Sequence, residues 1–221
     1  KTKLINYDSH IDLFDYIGDK LKIIFPSTNS GYGKTKQGEF CNEDSKVNPL
    51  SDYGKYKLDI EQKYLLRKNS IVFRFATIFR CSPRMRMDLL VNDFVYKAYK
   101  DNSIVLFESN FRRNFLHILD AVNAFCFAID NFEKMKSQIY NVGLSSANLT
   151  KLQLAQKIKV YFPDLYIHTS EINSDPDKRD YLVSNEKIEK LGWKAKHNLE
   201  SGIVELKKLY SMIKANQYSN F

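Results

Sequence analysis

The segment SIVFRFATIF, residues 70 to 79, is apolar at most positions and rich in β-branched and aromatic side chains. A half-exposed strand alternates apolar with polar residues, so an unbroken run of this kind predicts a strand covered on both faces. Such a strand needs helices above and below it, and the rest of the chain supplies them. The runs LKIIFPS (21–27), SIVLFES (103–109), QIYNVG (138–143) and YIHTSEI (166–172) read as further strands. Helical segments lie between them: one after Pro49 through IEQKYLLRK, then DLLVNDFVYKAYK, ILDAVNAFCFAIDNF, and NLTKLQLAQKIKVYF with a Thr150 or Asn148 cap. A last helix runs from about Ser201 to Ala215. Strands that alternate with helices predict an α/β fold with a largely parallel sheet.

Composition narrows the function classes. The chain has 221 residues, enough for one domain or one domain with a lobe, and is 43% hydrophobic and 27% charged. No stretch reaches the ~18 apolar residues of a membrane span, and the first residues lack the apolar core of a secretion signal. Cys41, Cys81 and Cys126 stand far apart without metal-ligand spacing, which predicts no metal and a reducing, cytoplasmic setting. The net charge is +8, but the 34 Lys and Arg are spread along the chain rather than packed into basic blocks. That pattern excludes nucleic acid as the expected partner and suits attraction of a small polyanion such as a nucleotide diphosphate. The loops at 80–88 and 173–180 are the expected irregular, functional stretches.

Tyr53 and Lys57 are four positions apart in a helical run, so both leave one helix face. An ammonium beside a phenol favours the phenolate, which otherwise forms only near pH 10. Taken alone, the pair reads as a solvated surface pair.

Five segments in order, IIFPSTNSGYG, NPLSDYGKYKLDIE, VFRFATIF, RRNFLHILDAVNAF and IYNVG, resemble the NAD-dependent epimerase/dehydratase family, the nucleotide-sugar branch of the extended short-chain dehydrogenase/reductases. The resemblance runs from about residue 19 to about residue 207 and implies a Rossmann-like sheet with a small C-terminal substrate-binding lobe. Residues 1–79 would belong to the dinucleotide-binding domain and 80–221 mainly to the lobe, with strand 139–143 and helix 118–132 returning to the sheet. The first strand matches a middle strand of the family's sheet. The strand, Gly-rich turn and helix that hold the dinucleotide pyrophosphate in the family have no counterpart within these residues. The resemblance thus admits a piece of a longer enzyme or a non-catalytic sugar-nucleotide-binding remnant.

Residue by residue, the resemblance implies Tyr53, Lys57 and Thr28 as catalytic: Tyr53 exchanges a proton with a sugar hydroxyl, Lys57 also holds the nicotinamide ribose, and Thr28 binds the same substrate oxygen. Phe75 would lie near the nicotinamide, so Tyr53, Lys57 and Phe75 are the cofactor-binding residues, with NAD rather than NADP. Thr28, Thr77, Arg113 and Arg179 would bind a nucleotide-diphosphate sugar, the two arginines by gripping the diphosphate bidentately. Arg112 and Lys178 are alternatives for that grip. His117 and Arg74 read as structural. Dehydratase relatives follow their threonine with Asp and Glu, whereas Asn29 and Ser30 stand here and neither exchanges a proton near neutral pH. Fucose-forming relatives use a cysteine and a histidine where Ser30 and Ser82 stand. What remains is an epimerase or a 4-dehydrogenase. The resemblance also admits a homodimer.

Overall fold

The computed structural model describes residues 1–18, 20–36, 38–171 and 177–213. A π-turn at Leu4–Asp8 leads into α1 (Ser9–Tyr16), followed by β1 (Ile23–Thr28), β2 (Phe40–Cys41), α2 (Asp52–Leu65), β3 (Ser70–Phe75) and β4 (Thr77–Phe79). Then come α3 (Leu90–Lys100), β5 (Ser103–Leu106), β6 (Arg112–His117), α4 (Ile118–Asp130), α5 (Phe132–Met135) and β7 (Gln138–Val142). The remaining elements are β8 (Asn148–Thr150), α6 (Lys151–Lys159), β9 (Tyr166–Thr169), β10 (Leu182–Val183), α7 (Glu186–Lys190) and α8 (Leu199–Met212).

The main sheet has the order β1-β3-β7 and is parallel throughout, with Thr28 beside Phe75 and Phe75 beside Val142. All six residues of β3 are buried, Ser70 and Arg74 included, as its mostly apolar run predicts. Its side chains alternate between two layers: Ile71, Phe73 and Phe75 pack with α4, whereas Val72 joins Phe25, Ile60 and Tyr64 on the α2 side. A second core lies under α3, α6 and α8, built around Phe79, Phe94, Phe115, Leu154 and Leu206. The fold is α/β with parallel sheets and a Rossmann-like centre.

Several expectations change. The run 70–79 is two strands. At Ala76, whose N–H donates to Val142, the chain leaves the main sheet, and β4 pairs with β6 instead. The strand expected over 103–109 ends at Leu106, and that over 166–172 ends at Thr169. Residues 172–176 of that segment and of the loop at 173–180, and the last residues of the final helix at 214–215, lie outside the described residues. β6, β8, α1 and the two-residue pair β2–β10 were not legible as periodic segments. The α6 cap is Thr150: its Oγ accepts from Gln153 N–H at 3.0 Å while the Gln153 side chain accepts from Thr150 N–H at 2.9 Å.

Candidate active site

The C-terminal end of β1 and the first turn of α2 meet at one spot. Thr28 ends β1, and its hydroxyl accepts from Ser30 N–H at 3.1 Å, turning the chain into a short 3-10 segment, Asn29–Tyr32. α2 begins at Ser51, whose Oγ accepts from Gly54 N–H at 3.2 Å. Gly54 lets this end of α2 come close, since a Cβ there would lie 3.1 Å from Pro49 and 3.5 Å from the Ser30 carbonyl. Gly33 serves the same loop with φ +69°; a Cβ would fall 1.9 Å from the Asn48 carbonyl.

Tyr53, Lys57 and Glu61 recur every four residues, so α2 presents them on one face. Tyr53 keeps 39% of its surface exposed, whereas Lys57 and Glu61 are buried. The Tyr53 phenol lies near enough to Thr28 for that side chain to act on its titration. Burial raises its pKa above the ordinary 10; the Thr28 side chain and the charges of Arg179 and Arg86 oppose that rise. This corrects the sequence expectation, in which Lys57 favours the phenolate. The Lys57 ammonium instead lies over the Phe25 ring, 4.4 Å from its centroid.

Burial lowers the Lys57 pKa to about 8, with Glu61 pulling the other way. The unfolded chain, with an ordinary value of 10.5, therefore holds more protons between these two pH values, and stability from this group rises with pH across that window. Comparing wild type with Lys57→Met by urea unfolding at pH 7.5 and pH 10 isolates it. The wild type should gain up to about 3 kcal/mol relative to the variant; an unchanged difference would show that the ammonium is not buried.

The arginines close the site from the other side. Arg179 donates Nε to Asp177 Oδ1 at 2.6 Å and Nη2 to Asp177 Oδ2 at 2.5 Å, and its Nη1 donates to the Ser30 hydroxyl. Ser30 Oγ also accepts from Thr28 Oγ1 at 3.0 Å. Arg113, buried on β6, pairs with Asp177 at 3.0 Å, donates to the Arg112 and Arg179 carbonyls, and stacks 5.5 Å from the Tyr181 ring. Tyr53, Thr28, Ser30, Arg179, Asp177 and Arg113 thus form one connected group. The alternatives are tied elsewhere: Arg112 is bidentate to Asp180 at 2.8 and 3.0 Å, and Lys178 pairs with Glu108 at 2.6 Å.

Three expected residues stay outside this group, the first being Lys57, whose ammonium lies over the Phe25 ring. Phe75 points to the opposite face of β3, packed on Phe73 and Phe125, because it is one residue on from the inward-facing Arg74. Thr77, half-buried, belongs to β4 beside Phe115, in the second sheet. Two members carry no sequence signal of their own: Ser30, which stands where relatives have an acid or a cysteine, and Asp177, in DPDKRDY; Arg86, in the loop 80–88, acts on the phenol from outside the group. The Asn29 side chain is buried, and among the described residues neither its oxygen nor its nitrogen has a hydrogen-bond partner.

Arg74 and His117 are structural. Arg74 sits in the buried network with Glu61. His117 Nδ1 accepts from Leu119 N–H at 3.3 Å at the start of α4, and its ring stacks on His197, 4.4 Å apart and 13° from parallel. Asp120 accepts from the Lys196 and His197 amides at 3.0 and 2.9 Å. One ligand atom from each of His117, Asp120 and His197 lies within 4.8 Å of the others, and Asp120 also ties the Lys196–His197 loop to the start of α4. No described helix is long and apolar enough to cross a membrane.

A solved NAD-dependent hexosamine 5,6-dehydratase of tunicamycin biosynthesis, TunA, superposes with TM-score 0.82 at 18% identity, covering 96% of this chain and 71% of that one. The UDP-glucuronic acid 4-epimerase of Bacillus cereus, solved with UDP-glucuronic acid and NAD, superposes with TM-score 0.80 at 19% identity, covering 93% and 67%. At these identities the likeness is one of fold. An uncharacterized protein of Schizosaccharomyces pombe is 25% identical over 226 residues, covering 85% of this chain, and the match spans 60% of that relative's length. The family model described as "NAD dependent epimerase/dehydratase family" matches residues 2–143, and the chain belongs to that family.

Proposed function

We infer that this chain carries the sugar-side half of an NAD-dependent epimerase or 4-dehydrogenase that acts on a nucleoside diphosphate sugar. The observation that carries this reading is the chain of contacts in which Thr28 acts on Tyr53 and bonds Ser30, Ser30 accepts from Arg179, and Arg179 shares Asp177 with Arg113. A proton-exchanging phenol within reach of two guanidiniums matches a ligand with a reactive hydroxyl at one end and a diphosphate at the other. NAD supplies the hydride acceptor. The Lys57 ammonium, buried and without a hydrogen bond among the described residues, fits a ribose hydroxyl, and Tyr53 and Lys57 are the residues that would hold that end of the cofactor. Asn29 and Ser30 provide no acid–base pair for loss of water, which favours reversible oxidation at one sugar carbon over dehydration.

The arginines provide the test. Arg113→Ala and Arg179→Ala should each weaken nucleoside diphosphate sugar binding by about 1.5–3 kcal/mol, the scale of a hydrogen bond to a charged group. Lysines away from the site, such as Lys97 and Lys134, should be replaceable with little change. Isothermal titration of UDP-, GDP- and dTDP-sugars against folded variants reads both. Unchanged binding in the two arginine variants would remove the diphosphate clamp, and the reading with it.

A further inference from the structure

The Asp177 carboxylate already does to Arg113 and Arg179 what a phosphate group would do. Its Oδ1 accepts from Arg179 Nε at 2.6 Å and from the Arg179 backbone N–H at 3.3 Å. Its Oδ2 accepts from Arg179 Nη2 at 2.5 Å and pairs with Arg113 Nη2 at 3.0 Å. One anion therefore bridges both guanidiniums, and the trio is left with one surplus positive charge. The Arg113 side chain is 4% exposed and cannot turn to water, so it needs an anion at all times. The Asp177 side chain is 35% exposed and that of Arg179 28%, so both reach solvent where Arg113 does not.

We propose that Asp177 is a resident counter-anion, which holds Arg113 and Arg179 in place without ligand and is exchanged for the diphosphate when the nucleotide sugar enters. This rests on the clamp reading above and deepens it by adding a selectivity rule. A monoanion gains little over a carboxylate that is already bidentate and covalently tethered. A diphosphate brings at least two charges and satisfies the surplus as well. No bond is made or broken in the exchange. The cost is that only the fraction of molecules with Asp177 turned away can accept ligand.

The probe is inorganic pyrophosphate, titrated calorimetrically into wild type, Asp177→Asn, Asp177→Glu, Arg113→Ala and Arg179→Ala. Asp177→Asn should bind pyrophosphate about tenfold more tightly than wild type, as expected if about a tenth of molecules are open. Asp177→Glu, which keeps the charge, should remain within a fewfold of wild type, and both arginine variants should lose binding. Thermal unfolding guards against misfolding: Asp177→Asn should unfold earlier without pyrophosphate and recover more than wild type when it is added. Equal or weaker binding by Asp177→Asn would make Asp177 a mere positioning residue and overturn the proposal. So would loss of nucleotide-sugar binding in the arginine variants with no pyrophosphate binding by any form, although the clamp would then stand. If the arginine variants keep nucleotide-sugar binding while Asp177→Asn still gains pyrophosphate affinity, the counter-anion stands and the sugar-nucleotide reading falls.

Discussion

Replacing Glu61 by alanine is expected to cost about 3–5 kcal/mol of folding stability, the scale of removing one partner from a buried ion pair. Glu61 and Arg74 are 0% and 3% exposed, and they meet at 2.5 Å with further bonds at 3.1 and 3.2 Å. Ser27 donates to Glu61 at 2.6 Å, and Arg74 donates to the Tyr32 hydroxyl at 3.1 Å. Tyr32 in turn donates to Asn141 at 2.7 Å. The network therefore ties α2 to β1, β3 and β7 just beneath the site. Glu61→Ala strands a guanidinium that cannot reach water. The double variant Glu61→Ala, Arg74→Met removes the stranded charge and should lose less than the sum of the single variants, with about 2 kcal/mol of coupling. Urea unfolding of the four proteins measures this. Additive losses, or a Glu61→Ala loss below about 1 kcal/mol, would mean that the pair is not what holds these elements together.

That network also shows what the sequence could and could not disclose. Arg74 interrupts a buried apolar strand, so its need for a partner was visible, but the partner depends on packing α2 against β3. The Tyr53–Lys57 spacing was legible because helical periodicity is local. The environments of the two side chains were not, because Phe25, which takes the ammonium, and Arg179 and Arg86, which act on the phenol, come from other parts of the chain. β3 was legible because burial on both faces writes a continuous apolar run. β2 and β10 were not, since two-residue strands carry no period and exist through Tyr32, Cys41, Tyr181 and Val183 packing together. The arginine clamp could be read from motif; Asp177 between the two guanidiniums required the fold.

In protein that carries a Gly-rich dinucleotide unit together with these residues, Tyr53→Phe should lower turnover of a nucleoside diphosphate sugar by roughly 10²–10⁴-fold, with KM little changed. The substitution removes one oxygen and leaves the ring, so Arg113 and Arg179 keep their grip on the diphosphate while the sugar hydroxyl loses its proton acceptor. The pH dependence gives a second, independent reading. Burial holds the phenol above its ordinary pKa, so near neutrality the resting group is protonated, and the base form grows as pH rises. Arg86 is one of the cations that oppose this rise, and it sits outside the diphosphate clamp, paired with Asp88 at 3.1 Å. Arg86→Ala should move the ascending limb of the rate profile to higher pH while the plateau survives, a change that a purely structural role for Arg86 would not produce. Near-full turnover in Tyr53→Phe would transfer the proton step to another group. Thr28 and Ser30, linked at 3.0 Å and touching both Tyr53 and Arg179, would be the next residues to replace.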